Sequence, residues 1–171
     1  MPELSLDKTP QAHYATLDPF GFSGRIGRLR LLAWNMVITL IAMAASLLAL
    51  LATKLSPTLG ITVCATLAIA YFLISLRISA QRLHDLNWSA WMLLLHLVPV
   101  ANLVLTLMML LMPGTPGPNR FGPPPPPNSP SVEVLARIVI FLIGLGIFAM
   151  IAIFALSLMN AVVNTVNGNS L

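Results

Sequence analysis

The chain has 171 residues, of which 57% are hydrophobic and only 8% are Asp, Glu, Lys or Arg. Soluble domains carry about 25% charged residues, and a core of this size could not hide so much apolar surface. The composition therefore excludes a soluble enzyme, a nucleic-acid-binding domain and a disordered chain. A single cysteine, Cys64, excludes a disulfide framework. The net charge of +4 fits a membrane protein with a basic cytoplasmic rim.

Long charge-free runs divide the chain: residues 31–53, 55–76, 86–119 and everything after Arg137. A helix rises about 1.5 Å per residue, so a hydrocarbon core about 30 Å thick needs roughly 20 apolar residues. Each run is long enough, and lipid favours helices because they satisfy their own backbone hydrogen bonds. We therefore predict an all-α membrane protein, a bundle of four transmembrane helices near residues 31–52, 59–76, 91–112 and 138–158.

The third run allows a second arrangement, because Pro99 and Asn102 lie near its midpoint. In that arrangement it is a re-entrant hairpin, which returns to the side from which it entered. With four full spans, six cations flank one side of the membrane and three the other, so the positive-inside rule puts both termini in the cytoplasm. With a hairpin, Arg120 joins the cytoplasmic side and the C-terminus leaves it. We expect a full span and a cytoplasmic N-terminus.

We expect the chain to be divided into three parts. Residues 1–28 form a cytoplasmic N-terminal arm, residues 29–127 a membrane core with three hydrophobic helices, and residues 128–171 an additional transmembrane helix with a polar tail. Five consecutive prolines at 123–127 follow a Pro- and Gly-rich loop and predict a stiff polyproline II spacer. A docking site for a proline-binding partner is the alternative.

The loop after the second run contains Arg82, His84 and Asp85. Arg82 and Asp85 lie three positions apart and can pair on one helix face. His84 beside a carboxylate is also typical of metal and acid–base sites, but a metal ion needs three or four ligands and the chain has only three histidines. We expect a structural ion pair, with no catalytic residue, no cofactor and no metal.

Polar residues inside the predicted spans need partners, because hydrocarbon offers none. These residues are Asn35, His96 and Asn102. We expect them to form hydrogen bonds between helices; a proton or solute path is the alternative. Arg25, Arg28 and Arg30, just before the first span, predict contact with anionic lipid head groups; a dedicated lipid-binding pocket is the alternative.

Three short motifs occur in order between the hydrophobic runs. They are Phe22 with Gly24, Arg25 and Arg28; Arg-Leu-His-Asp at 82–85; and Pro-Gly-Thr-Pro-Gly at 113–117 with Asn119 and Arg120. Together they resemble the YhaH-like family of small bacterial inner-membrane proteins, a domain-of-unknown-function family. The resemblance covers roughly residues 20–127 and implies an inner-membrane location but no activity. It also suggests one polar cluster, formed if the second and third loops share a side: Arg25, Arg28, Arg82, His84, Asp85, Asn119 and Arg120.

The sequence favours a non-enzymatic integral membrane protein that acts as a structural or accessory component. The alternatives are a small oligomeric transporter or channel that uses His96 and Asn102, and an enzyme that acts on lipid head groups through His84 and Asp85. Expected partners are the lipid bilayer, anionic lipid head groups among them, and a second copy or another membrane protein. Nucleic acid is not an expected partner.

Overall fold

The computed structural model describes residues 14–18 and 20–168, with side chains as far as Thr165. Residues 1–13 of the predicted N-terminal arm lie outside the described residues, as do residues 169–171 of the predicted polar tail.

The described part of the chain is helical, apart from one isolated β-bridge between Asn119 and Gly122. Its helices, in chain order, are α1 (Arg28–Ala52), α2 (Pro57–Asp85), a 3-10 helix (Ala90–Leu97), α3 (Pro99–Leu111) and α4 (Pro130–Gly168). The predicted all-α membrane class is confirmed.

Helices α1, α2 and α4 are each long and apolar enough to cross a bilayer. Even the 25 residues of α1 extend about 38 Å, more than the roughly 30 Å of a hydrocarbon core. In the most apolar 18-residue stretch of each helix, only 6% of the residues are buried inside the protein in α1, 6% in α2 and none in α4. Lipid tails are the solvent that such surfaces require, so the protein is a multi-pass membrane protein.

A tight turn joins α1 and α2 into an antiparallel hairpin. Ser56 caps α2, because its Oγ accepts a hydrogen bond from the backbone N–H of Leu59 at 3.5 Å. Pro57 follows at the first helical position, where a missing N–H costs nothing. Gly60 packs so closely on the turn that a Cβ would lie 2.2 Å from Cγ2 of Thr53. The hairpin is therefore closed at this end by backbone contact.

The third hydrophobic run does not form the continuous span that we predicted over residues 91–112. It divides at Val98, whose backbone is extended (φ −106°, ψ 116°), between the 3-10 helix and α3. Pro99 causes the break, because it disfavours helical backbone at the preceding residue and has no N–H to donate. The 13 residues of α3 rise only about 20 Å, too little for a core of roughly 30 Å.

Both ends of the third run lie beside the last turn of α2. At its start, the backbone N–H of Trp88 donates to the carbonyl of Leu83 at 2.8 Å. At its end, Nη2 of Arg82 donates to the carbonyl of Met112 at 2.5 Å. The run therefore leaves and returns at one end of the bundle, as the re-entrant alternative requires.

Helix α4 begins at the same end as α1. Nη2 of Arg30 donates to the carbonyl of Pro127 at 3.0 Å, and the N–H of Ala15 donates to that of Pro124 at 2.9 Å. Three crossing helices and a re-entrant hairpin put the start of α1 and the end of α4 at opposite ends of the bundle. This arrangement follows the re-entrant alternative and not the four full spans that we expected to bring both termini to one side.

The buried core lies at the end where α1 and α4 begin. We call this the polar end; it comprises residues 20–30, the last turns of α2 and residues 113–129. The apolar side chains of the core are Ile26, Leu31, Ile78, Leu83, Leu86, Leu105 and Met109. Buried among the same elements are the polar side chains of Arg25, Arg30, Gln81, Arg82 and Asp85. Charged groups are costly to bury unless they are paired, so this end is the candidate site.

Candidate functional site

Asp85, the last residue of α2, lies at the centre of the polar end and is 2% exposed. Arg82, one turn earlier, donates from Nη1 to Oδ2 of Asp85 at 2.6 Å. Arg25, which precedes α1, donates from Nε and Nη2 to Oδ1 at 3.2 and 3.0 Å. Both carboxylate oxygens thus accept from guanidinium groups whose side chains are fully buried. The structure contains the ion pair expected from the 82–85 spacing and adds a second arginine from a distant segment.

Arg25 also organises the loop after α3. Its Nη1 donates to the carbonyls of Gly117 and Gly122 at 2.7 and 3.2 Å. Its Nη2 donates to the carbonyl and the hydroxyl of Thr115 at 2.6 and 3.0 Å. The planar fork of an arginine can hold several acceptors at once, which the point charge of a lysine cannot. One side chain therefore joins the start of α1, the end of α2 and the loop.

Arg82 caps the C-terminal end of α3. The carbonyl of Met109 has no intrahelical partner, because the residue four positions later is Pro113, which lacks an N–H. Nε of Arg82 donates to that carbonyl at 2.7 Å, and its Nη2 bonds the carbonyl of Met112. Because the third run turns back, the unpaired carbonyls at the end of α3 lie beside the buried guanidinium of Arg82, which needs hydrogen-bond acceptors.

The loop after α3 in turn caps α2. Thr115 donates to the carbonyl of Asp85 from its N–H at 2.9 Å and from its hydroxyl at 3.0 Å. Nδ2 of Asn119 donates to the carbonyl of His84 at 2.8 Å and to Oγ1 of Thr115 at 2.9 Å. Carbonyls that a helix end normally leaves to water are therefore bonded inside the protein.

Asn87 terminates α2 with a left-handed backbone (φ 62°). The N–H of Trp88 bonds the carbonyl of Leu83, and the N–H of Asn87 bonds that of His84 at 3.0 Å, which is the Schellman arrangement. Glycine and asparagine tolerate this conformation, whereas a β-branched side chain is strained in it.

Replacing Asn87 by Val is expected to cost about 1–2 kcal/mol of folding free energy, because a β-branched residue must adopt the left-handed conformation. Asn87→Gly is the matched control and should leave stability nearly unchanged. Thermal unfolding in detergent micelles, followed by tryptophan fluorescence, measures both. Equal midpoints for the two variants would contradict this geometry.

His84 and Arg120 meet around Phe121 at the rim of the cluster. The rings of His84 and Phe121 stack with centroids 4.0 Å apart and planes 10° from parallel. The guanidinium of Arg120 lies 4.7 Å from the Phe121 centroid, and its Nη2 donates to the carbonyl of Asn87 at 2.9 Å. Nδ1 of His84 is buried without a hydrogen-bond partner among the described residues. These contacts fix the rim of the loop on the end of α2.

Arg28 lies further out and donates from Nη1 to the carbonyl of Leu111 at 3.2 Å. All seven residues of the predicted polar cluster consequently lie at one end of the protein. Arg25, Arg82 and Asp85 are buried, whereas Arg28 and Arg120 are exposed. Within residues 14–18 and 20–168, no three His, Cys, Asp or Glu side chains are grouped closely enough to hold a metal ion.

The three polar residues predicted inside the membrane bond locally, not between helices. Asn35 donates to the carbonyl of Leu31 at 2.8 Å, and Oδ1 of Asn102 accepts from the hydroxyl of Thr106 at 3.3 Å. His96 lies in the 3-10 helix, with Nδ1 3.2 Å from the carbonyl of Leu93. The expected interhelical bonds are absent from the described residues, because each side chain reaches an acceptor or donor three or four positions away in its own segment.

The buried side chains of the cluster form their hydrogen bonds with one another and with backbone carbonyls. Two buried arginines face one carboxylate, so one positive charge is balanced by carbonyl dipoles and by the negative ends of α2 and α3. Every guanidinium nitrogen of Arg25 and Arg82 donates a hydrogen bond. Both oxygens of Asp85 accept one. The arrangement therefore joins chain segments through bonds among Arg25, Arg82, Asp85 and backbone carbonyls.

The predicted polar cluster did not include Gly114, Thr115, Gln81 and Arg30, which also lie at the polar end. Gln81 donates from Nε2 to the carbonyl of Gly21 at 2.8 Å and thereby holds the N-terminal arm on α2. A Cβ on Gly114 would lie 2.0 Å from Oδ2 of Asp85. The available signal was the Pro-Gly-Thr motif itself. Its glycine allows the loop to approach Asp85 closely, and its threonine caps the end of α2.

Comparison with known proteins gives a family and a partial relative. The DUF805 family, described as "Protein of unknown function (DUF805)", matches residues 19–123. The inner membrane protein YhaH of Escherichia coli strain K12 is 47% identical over 45 residues, which cover 26% of this chain and 37% of that protein. YhaH of Escherichia coli O157:H7 matches with the same values. No solved structure matches.

The family match begins in the N-terminal arm and ends in the proline run, so it contains the whole Arg25–Arg82–Asp85 cluster and the re-entrant hairpin but not α4. It covers more than half of the chain. Its three membrane-crossing helices and its inner-membrane relative indicate a multi-pass protein of the inner membrane. On the family match, the chain belongs to the DUF805 family.

Proposed function

We propose that the protein is a non-enzymatic structural or accessory component of the membrane. The observation that supports this is the state of Asp85, which is buried and has both oxygens bonded to two arginines. A general acid or base must reach a substrate, and a nucleophile needs an adjacent base. Asp85 instead neutralises the arginines that join α1, α2 and the loop.

Reconstitution tests this proposal against lipid chemistry. The full chain is placed in liposomes of phosphatidylethanolamine and phosphatidylglycerol, and lipid products are measured by mass spectrometry after incubation. We expect the same lipid composition as in protein-free liposomes. Conversion of either lipid that disappears in His84→Ala would contradict the proposal.

We further propose that the polar end faces the cytoplasm. Among the described residues it carries six arginines, whereas Lys54 lies at the opposite end of the bundle. Positively charged segments near membrane helices are retained on the cytoplasmic side. The re-entrant hairpin strengthens this bias, because it brings Arg120 to the end that also carries Arg25 and Arg82.

Reporter fusions measure the orientation directly. An alkaline phosphatase fusion after Arg120 is expected to be inactive and a fusion after Thr165 active, because the enzyme folds only outside the cytoplasm. Green fluorescent protein at the same two positions should give the opposite pattern. An active phosphatase after Arg120 would overturn the proposed orientation.

A small oligomeric transporter or channel is the second candidate, and the re-entrant hairpin favours it. Non-helical backbone at membrane depth occurs where it is buried in protein or lines a water-filled cavity. The break at Val98 and Pro99 lies at the tip of the hairpin, near Asn102. Ion flux into liposomes that contain the full chain, lost in Asn102→Leu, would favour this function; flux equal to that of empty liposomes would remove it.

A further inference from the structure

An apolar groove follows α1 and α2 and ends against the first turns of α4. Its lining side chains lie within residues 33–45 of α1, 67–78 of α2 and 131–135 of α4, together with Phe20. Along α1 the groove is about 18 Å long, close to the roughly 15 Å of one leaflet of a hydrocarbon core. Its length and lining therefore fit one extended alkyl chain.

Arg30 lies one helical turn before the first lining residues of α1, at the end of the groove that we call its foot, and does not itself line the groove. It precedes the lining residues Ala33 and Trp34 by three and four positions, which places it on the same face of α1. Its side chain is buried, and its guanidinium donates only to the carbonyls of Pro126 and Pro127, at 3.3 and 3.0 Å. No carboxylate pairs with it among the described residues. A buried cation at the end of an apolar groove thus lacks a counter-charge.

The surroundings of Arg30 are positive as well. The first turn of α4 borders the groove at Ser131 and Val132, and a helix N-terminus attracts anions. The described residues contain seven arginines but only three carboxylates, and two of these, Asp85 and Glu133, are already paired. The charge of the groove's foot therefore selects a negatively charged group.

We propose that this groove binds an anionic phospholipid, with one acyl chain between α1 and α2 and the phosphate beside Arg30. The apolar lining fits the chain, and the unpaired cation fits the head group. A second copy of the protein is a poorer occupant, because it would bring the same basic end to the interface. This site is separate from the Arg25–Asp85 cluster and does not depend on the proposed function.

Native mass spectrometry of the full chain in detergent tests the proposal. Phosphatidylglycerol and phosphatidylcholine with identical acyl chains are added at equal concentration, and the lipid adducts are counted. We expect phosphatidylglycerol to bind more tightly by about fivefold, the preference that one cation gives near an anionic head group. Arg30→Gln should abolish this preference, whereas Arg137→Gln, which changes an exposed arginine, should keep it.

A second pair of variants tests the groove without touching the charge. Ala45→Phe fills the groove and should lower the binding of both lipids, whereas Ala44→Phe points into bulk lipid and should not. Equal binding of the two lipids to the native protein would overturn the proposal. So would unchanged binding in Ala45→Phe, or a loss of dimer instead of lipid adducts in that variant.

Discussion

Asp85→Asn is expected to destabilise the protein by about 3–5 kcal/mol, because it leaves two buried guanidinium groups without their only carboxylate. The amide keeps the shape of the side chain, so the loss is one of charge and not of packing. Thermal unfolding in detergent, read from tryptophan fluorescence, should show a much lower midpoint for the variant. Trp34 and Trp88 pack against the buried core and report on its loss.

Glu133→Gln is the matched control for Asp85→Asn. Glu133 also pairs with an arginine, Arg137 at 3.2 Å, but the two side chains are 44% and 77% exposed. Exposed pairs contribute about 0–1 kcal/mol, so the midpoint of this variant should hardly change. Similar losses in the two variants would mean that the buried cluster does not hold the polar end together.

Gly114→Ala is expected to cost up to about 3 kcal/mol, as overpacking of a close contact does. A Cβ at this position would lie 2.0 Å from Oδ2 and 2.6 Å from Cγ of Asp85. If the carboxylate moves, its bond to Arg82 is lengthened or lost; if the loop moves, the bonds from Thr115 to the carbonyl of Asp85 are lost instead. Unfolding in detergent measures the cost.

Gly144→Ala provides the control for Gly114→Ala. Gly144 lies in the interior of α4, where an added Cβ meets no atom within 4 Å. Alanine is the better helix former, so this variant should be as stable as the native protein or slightly more stable. A loss in Gly144→Ala as large as that in Gly114→Ala would show that the contact with Asp85 is not the cause.

The sequence predicted the crossing helices because charge-free length is a direct requirement of the bilayer. The predicted spans at 31–52, 59–76 and 138–158 lie within α1, α2 and α4, although the last two helices extend well beyond them. A charge-free run marks the part of a helix that lipid tolerates, whereas the helix itself continues until a cap or a proline ends it.

The direction of the third run could not be predicted by the same reasoning. Length and hydropathy are alike for a span and for a hairpin. Pro99 predicted a break in the helix, but not whether the chain continues across the membrane or turns back after it. What distinguishes them is long-range: Arg82 needs the carbonyls of Met109 and Met112, which only a returning α3 brings to α2. Likewise, the i,i+3 spacing predicted Arg82 with Asp85, but nothing local connects Asp85 with Arg25, 60 positions earlier.

The central claim is that the third run returns to the end from which it started, so that the three motifs meet around Asp85. Accessibility of single cysteines in intact cells tests it. In a Cys64→Ala background, Lys54→Cys, Ser129→Cys and Asn164→Cys are each treated with a membrane-impermeant maleimide. The re-entrant fold places positions 54 and 164 on one side of the membrane and position 129 on the other.

We expect Lys54→Cys and Asn164→Cys to react alike, and Ser129→Cys to behave in the opposite way. This comparison does not depend on which side faces the cytoplasm. Four full spans would instead place positions 54 and 129 on one side, with position 164 on the other. Matching labelling of Lys54→Cys and Ser129→Cys, with the opposite result for Asn164→Cys, would contradict the account.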